Sequence, residues 1–433
     1  MSPHFERALL LYQQRRYEHA EKELVQVMAS NPNDAVAHSL MGMCLLQRER
    51  FEEATEHAQQ AIGLAPDVPF VHSTLARIWA TRNHLDTAEA ACDTAISLDP
   101  HDAETLTLRG HLHTLRKQWD PALKAAEEAL AVDPDHVGAL NLRAEALRGL
   151  GRTDTAVDQY EAALRADPEN AWTHASVGWN YLEKGKRDKA MEHFREALRL
   201  DPELDWARAG VVEALKAWNP AYRLVLGYFF RMQRFSSQNQ WMIILGLWFG
   251  YMLARNAVDA YPSLGIVLWP LIAIYVIFVL MTWLAVPLAN LSLRLHPFGR
   301  LALSRDQRVG TNWIGGFLLG GVVAGVSCLI WPVKFTVYAT IYCLMMLLPL
   351  GITFQTAKPW PRKGMLIYTL LVGLAGAAGV IGALVPVDTW KAWPALLAIP
   401  FGLATGLGLL VFPWGALLSV WAGNILATMR WKR

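Results

Sequence analysis

The sequence predicts an all-α chain in two parts, an N-terminal solenoid of six helix pairs and a C-terminal polytopic membrane domain of about six transmembrane helices. Three observations lead there. Proline recurs at Pro32, Pro66, Pro100, Pro134, Pro168 and Pro202, each 34 residues after the last. Small residues keep the same period in two unbroken columns. Beyond residue 238 the chain turns into long apolar runs whose connecting segments are alternately rich and poor in Lys and Arg.

The first small column is Ala20, Ala54, Ala88, Ala122, Ala156 and Ala190; the second is Ala8, Gly42, Ala76, Gly110, Ala144 and Gly178. A third, Val27, Ala61, Ala95, Ala129, Ala163 and Ala197, is almost as strict. Helix axes come close only where no bulky side chain stands between them, so each unit reads as a packed helix pair. Larger residues such as Leu45, Trp79, Leu147 and Tyr181 recur one turn beyond the second column and fill the remaining space. The proline ends the second helix, because it donates no backbone hydrogen bond and restricts the residue before it.

This pattern strongly resembles the tetratricopeptide repeat, or TPR, a helix-turn-helix unit of the same length. The resemblance covers residues 1–204 as six units, with a capping helix expected at 205–218. Arg7, Arg109 and Arg143 depart from it, standing where the family usually carries an aliphatic residue. It implies a superhelical scaffold that binds a peptide or protein along a concave groove lined by the first helix of each unit. On that implication Ser73, Arg77, Thr107, His111, Asn141, Glu145, Arg148, Trp172 and Trp179 point into the groove. Trp172 and Trp179 lie two turns apart on one face, where they either pack against the capping helix or, left unpaired, would anchor a partner. The Lys and Asn pattern by which some members grip a C-terminal carboxylate is missing, so a chaperone tail of that kind is not the expected ligand.

Charge divides the chain sharply. Residues 1–220 hold 24 Lys and Arg against 35 Asp and Glu, a net −11, while residues 221–433 hold 16 against 3, a net +13. An array of that sign repels nucleic acid and anionic headgroups, and favours a protein segment with a basic flank and an apolar or aromatic anchor. The cysteines form no CxxC pair, and Cys44 and Cys92 read as buried reduced thiols. The N-terminus has too short an apolar run for a secretory signal, so the array is expected in the compartment of synthesis.

Apolar runs long enough to cross a bilayer fall near 240–258, 264–289, 313–331, 334–355, 365–385 and within 395–428. The last is interrupted by Phe412, Pro413, Trp414 and Gly415, and reads as a kinked span or a hairpin. Alternate segments carry 13 Lys and Arg: Arg223, Arg231 and Arg234; Arg294, Arg300, Arg305 and Arg308; Lys358, Arg362 and Lys363; Arg430, Lys432 and Arg433. The intervening ones have Arg255, Lys334 and Lys391, one each. That asymmetry predicts an even number of spans with both termini cytoplasmic; the expected location is a bacterial inner membrane. Residues 219–239, mixing Arg with Leu and aromatic side chains, read either as an interfacial linker helix or as a continuation of the array's capping helices.

No nucleotide-binding, HExxH or GxSxG motif is present, and no catalytic, metal or cofactor site is expected. His111 and His113 are two apart on a helix and face different ways. His4, His38, His72 and His174 share one place in the repeat but lie about 10 Å apart, too far for one metal ion. The spans hold almost no ionisable residue, which argues against a proton-coupled transporter. They do hold the GxxxG pairs Gly246 and Gly250, Gly316 and Gly320, Gly321 and Gly325, and Gly402 and Gly406, which suit packing within the bundle, self-association or docking onto another membrane protein. The expected function is therefore a non-enzymatic, membrane-anchored adaptor for a protein partner. The alternative is a polytopic transporter, channel or membrane enzyme targeted or regulated through the array.

Overall fold

The computed structural model describes residues 2–295, 303, 305–331, 333–356, 359–384, 406, 408, 411–419, 422, 423 and 426. Among the described residues there is no strand. Contacts divide the chain into two units, Met1–Val211 with Phe230–Gln240, and Val212–Phe229 with Trp241–Arg433.

In the first unit, the first helices of the six pairs are α1 (Pro3–Gln13), α3 (Ala35–Gln47), α5 (Pro69–Thr81), α7 (Ala103–Leu115), α9 (Val137–Gly149) and α11 (Ala171–Glu183). Their partners are α2 (Tyr17–Ser30), α4 (Phe51–Leu64), α6 (Leu85–Leu98), α8 (Trp119–Val132), α10 (Thr153–Ala166) and α12 (Arg187–Leu200). The Asp-Pro breaks have a local cause. Asp99, Asp133, Asp167 and Asp201 each accept, through the side chain, the amide two residues on, at 3.0 to 3.3 Å. Such a turn competes with helix, and the proline behind it cannot rejoin one. Two residues after the proline, Asp34, Asp102 and Asn170 cap the next first helix.

All six alanines of the first small column are fully buried, and the third column is buried throughout. A Cβ added to Gly42 would come within 3.1 Å of the Ala54 carbonyl, and one on Gly178 within 2.6 Å of the Phe194 ring. Helix contact at that place leaves no room for more. The three atypical arginines turn toward the second helix of their own unit, Arg7 to Glu23, Arg109 to Glu128 and Arg143 to Gln159. The histidine column is a latch on the proline column: Nε2 of His38, His72 and His174 reaches the carbonyl of Pro32, Pro66 and Pro168 at 2.7 to 3.1 Å.

Another column was hidden in the sequence. Arg15, Glu49, Asn83, Lys117, Gly151 and Gly185, again 34 apart, all have positive φ between 59° and 83°. They make the tight turn from first to second helix in every pair. Only two are glycine, although the left-handed region favours it.

α13 (Asp205–Lys216) and α14 (Pro220–Gln233) follow, and then α15 (Ser237–Ala260) and α16 (Gly265–Leu295). Among the described residues, five helical stretches are long and apolar enough to cross a membrane: Ser237–Ala260, Pro262–Arg294, Arg305–Ile330, Lys334–Phe354 and Trp360–Leu384. They coincide with the first five expected spans. The fourth is two helices, Lys334–Met345 and Leu347–Gln355. Pro349 explains the break, since its ring collides with the carbonyl of Met345 four residues earlier. Thr353 donates to the Pro349 carbonyl at 2.7 Å and accepts from the Thr369 hydroxyl at 2.8 Å, which keeps this buried polar group satisfied. Gly321 and Gly325 pack against Leu344 and Thr340 of the neighbouring helix, an intrachain use of one GxxxG pair. Most of the expected sixth span, 395–428, lies outside the described residues.

Candidate partner-binding site

The described array contains a cavity of about 60 Å³ lined by His111, Asn141, Glu145, Arg148, Tyr160, Trp172, Ser176, Trp179 and Trp206. Six of the nine residues expected to point into the groove thus meet in one place. The 34-residue period explains the meeting: α7, α9 and α11 present equivalent faces side by side, so His111, Glu145 and Trp179 occupy one position in successive units. Pockets for small molecules usually enclose roughly 300 to 1,000 Å³. This cavity admits the end of a side chain.

Its polar groups differ in how firmly they are held. Asn141 donates through Nδ2 to Oγ1 of Thr173 at 2.8 Å, while its Oδ1 is buried without a hydrogen-bond partner. That acceptor faces a desolvation cost of about 1 to 3 kcal/mol unless a donor arrives. Arg148 lies 3.7 Å from Glu183, whose side chain is 8% exposed. Burial opposes the Arg148 charge, yet Tyr160, Glu183 and Glu145 together hold its pKa above the ordinary value. Burial drives the His111 pKa down although Glu145 pulls it up, so His111 is neutral at physiological pH.

The tryptophans take different roles. Trp179 is 8% exposed: its indole N–H donates to the Trp206 carbonyl at 3.2 Å, and its ring meets Trp206, Phe194 and Phe230. It is not an unpaired anchor. The cause is α13, which brings Trp206 over the last repeat. Trp172 stays 53% exposed and stacks on Trp206 with centroids 6.1 Å apart at 19°. Trp206, Tyr160 and Ser176 were missed in the sequence; Trp206 was visible in the expected capping helix but carried no sign of where that helix would fold.

Arg77 lies outside the lining of the cavity. It pairs with Glu104, which also accepts from His136 Nε2 at 3.1 Å. His136 first and then Arg77 lower the Glu104 pKa to about 2. The three residues connect α5, α7 and the start of α9 and so join successive repeats. Ser73 and Thr107 are buried and donate to Phe70 and Ala103 carbonyls within their own helices. Cys44 and Cys92 are buried free thiols whose pKa values burial pushes up to about 12.

Tetratricopeptide-repeat family models match residues 5–69, 45–112 and 135–203. No family is found for the C-terminal part. No curated protein matches the chain. Among solved structures, the chain is similar to YrrB, described as a TPR protein with an unusual peptide-binding site, at 19% identity over 42% of this chain and 95% of that one, with a TM-score of 0.30. It is also similar to Pseudomonas aeruginosa PilF, at 14% identity over 53% and 92% of the chains with a TM-score of 0.37. A tetratricopeptide repeat protein from Parabacteroides merdae shares 15% identity over 55% and 94%, with a TM-score of 0.40. The tetratricopeptide-repeat models thus match the N-terminal part of this chain, over residues 5–112 and 135–203.

Proposed function

We propose that the protein is a membrane-anchored adaptor whose repeat array, residues 1–204 with its cap at 205–218, binds a protein segment on the cytoplasmic side. The tetratricopeptide repeats suggest protein interaction, and five apolar helices are compatible with anchoring in a bilayer. The observation that carries the reading is the cavity. It is too small for a cofactor, it holds an unmet acceptor on Asn141, and it lies beside a half-exposed tryptophan pair, Trp172 on Trp206. Those are the means of reading a side chain presented by another polypeptide. Residues 240–433 supply the membrane part, with both termini cytoplasmic, and the lipid bilayer is its other partner. The array's net −11 makes nucleic acid an unsuitable ligand.

Capture of partners by the full chain from native membranes in mild detergent tests this. Trp172→Ala and Glu145→Gln should each lose the partner, and Glu56→Ala, exposed on the outer helix α4, should keep it. Equal capture by all three, with each folded, would remove the site from the groove.

A further inference from the structure

The residues that lead from the array to the first apolar helix are themselves part of the array's fold. Phe230 sets its ring edge-on to Trp179, with centroids 6.2 Å apart at 79°. One turn later the Arg234 guanidinium donates to Oε1 of Glu183, and the Arg234 carbonyl accepts from the Trp119 indole at 2.6 Å. Gln240 Nε2 closes the turn by donating to the Met232 and Phe235 carbonyls, both at 3.0 Å. The strap thus touches repeat four through Trp119 and repeat six through Trp179 and Glu183.

Repeat five is shaped to receive it. At the turn between first and second helix, Arg48, Arg82, Arg116 and Lys184 reach back to acids of the preceding repeat. The fifth repeat has Leu150 there instead, flanked by Gly149 and Gly151. A Cβ on Gly149 would stand 2.2 Å from the Trp119 ring, and one on Gly151 2.8 Å from Nη1 of Arg234. The left-handed backbone alone does not demand glycine at this turn, because four other repeats hold Arg15, Glu49, Asn83 and Lys117 in it. What sets Gly151 apart is the guanidinium lying on it.

We propose that Phe230 to Arg234 is an internal ligand of the array: it fills the place where a partner's aromatic and arginine side chains would be read, and such a partner binds only after displacing it. The inference rests on the reading of the cavity as a protein-binding site. Trp179 is a wall of that cavity, and Glu183 is shared between Arg234 and the cavity residue Arg148. An aromatic side chain followed four residues later by arginine is the motif that matches, since one helical turn puts both on the same face. A tethered segment competes at an effective concentration on the order of millimolar, so a free ligand of micromolar intrinsic affinity is held off by a large factor.

The probe is a fluorescein-labelled peptide of residues 228–236, read by anisotropy against the detergent-solubilised full chain. Wild type should bind it weakly. Phe230→Ala with Arg234→Ala should bind it at least tenfold more tightly, and Glu183→Gln added to that pair should abolish the gain. Gly151→Asn leaves both strap side chains in place, suits a left-handed backbone as Asn83 does, and should shift affinity in the same direction. Circular dichroism checks that each variant is folded. Equal binding by wild type and the strap variant, a gain indifferent to Glu183→Gln, or no binding to either, overturns the internal ligand. Capture of the native partner separates the two readings. A partner retained equally with and without the strap sinks this inference and leaves the adaptor standing, whereas a peptide effect without any captured protein supports the strap and removes the adaptor.

Discussion

Glu183 and Arg234 stand 51 residues apart in sequence and meet in an ion pair whose acid has a side chain only 8% exposed. Arg148 approaches the same carboxylate at 3.7 Å. One acid therefore answers two cations, one from the groove and one from the strap. Glu183→Gln should destabilise the array by about 2 kcal/mol, since charged hydrogen bonds are worth about 1.5 to 3 kcal/mol and both arginines remain partly solvated. Chemical denaturation followed by circular dichroism measures it; an unchanged midpoint would mean that solvent already screens the pair.

The small column sets a limit on size. Ala122 and Ala156 are fully buried where two helices touch. Ala122→Leu or Ala156→Leu should cost about 1 to 3 kcal/mol through overpacking. Variants that unfold like the parent would show that these helices can separate without loss.

Asn180 stands where repeats two to five bury the apolar residues Cys44, Ile78, Leu112 and Ala146. Both of its amide atoms are buried without a hydrogen-bond partner. Asn180→Leu removes the unmet groups at similar volume and should stabilise the array by about 1 to 3 kcal/mol. A loss of stability instead would imply a partner for this amide beyond the chain itself.

Two histidine pairs should make the array sensitive to acid. Nδ1 of His57 faces Nδ1 of His38 at 2.9 Å, and Nδ1 of His193 faces that of His174 at 3.2 Å. Burial first, and then the paired ring, lower the pKa of His57 and His193, against upward pulls from Glu53, Glu56 and Glu21 on one and Glu192 on the other. A lowered folded pKa means that the unfolded chain binds more protons. The contribution is complete above about pH 6.5 and is lost as pH falls through the folded values. The melting temperature should therefore drop more between pH 7.5 and pH 5 in wild type than in His57→Gln with His193→Gln. The bond from His136 to Glu104 raises the His136 pKa and acts oppositely, losing its contribution as pH rises, which is why the variant is the proper reference.

The basic segments predict the topology. Accessibility tags after Asp306 and after Arg433 should both report the cytoplasmic side, and an external C-terminus would remove the six-span topology.

The sequence by itself determined the repeat, because a 34-residue period in proline and small residues is a local and repeated constraint that each unit must satisfy to pack on the next. It determined the first five apolar helices for a similar reason, since length and hydropathy are properties of a single stretch. Six of the cavity residues were legible as well, because equivalent positions in stacked units are neighbours. The left-handed turn column escaped notice: the backbone there is imposed by helix pairing on both sides, so Arg15, Glu49, Asn83 and Lys117 are held in it without glycine. Only the tertiary structure decided that Trp179 is covered while Trp172 stays open, since that depends on where α13 lays Trp206. It alone also brought Arg234 to Glu183 and Gly151, because a contact between segments so far apart answers to no period in the chain and is set by the shape of the surface on which the strap comes to rest.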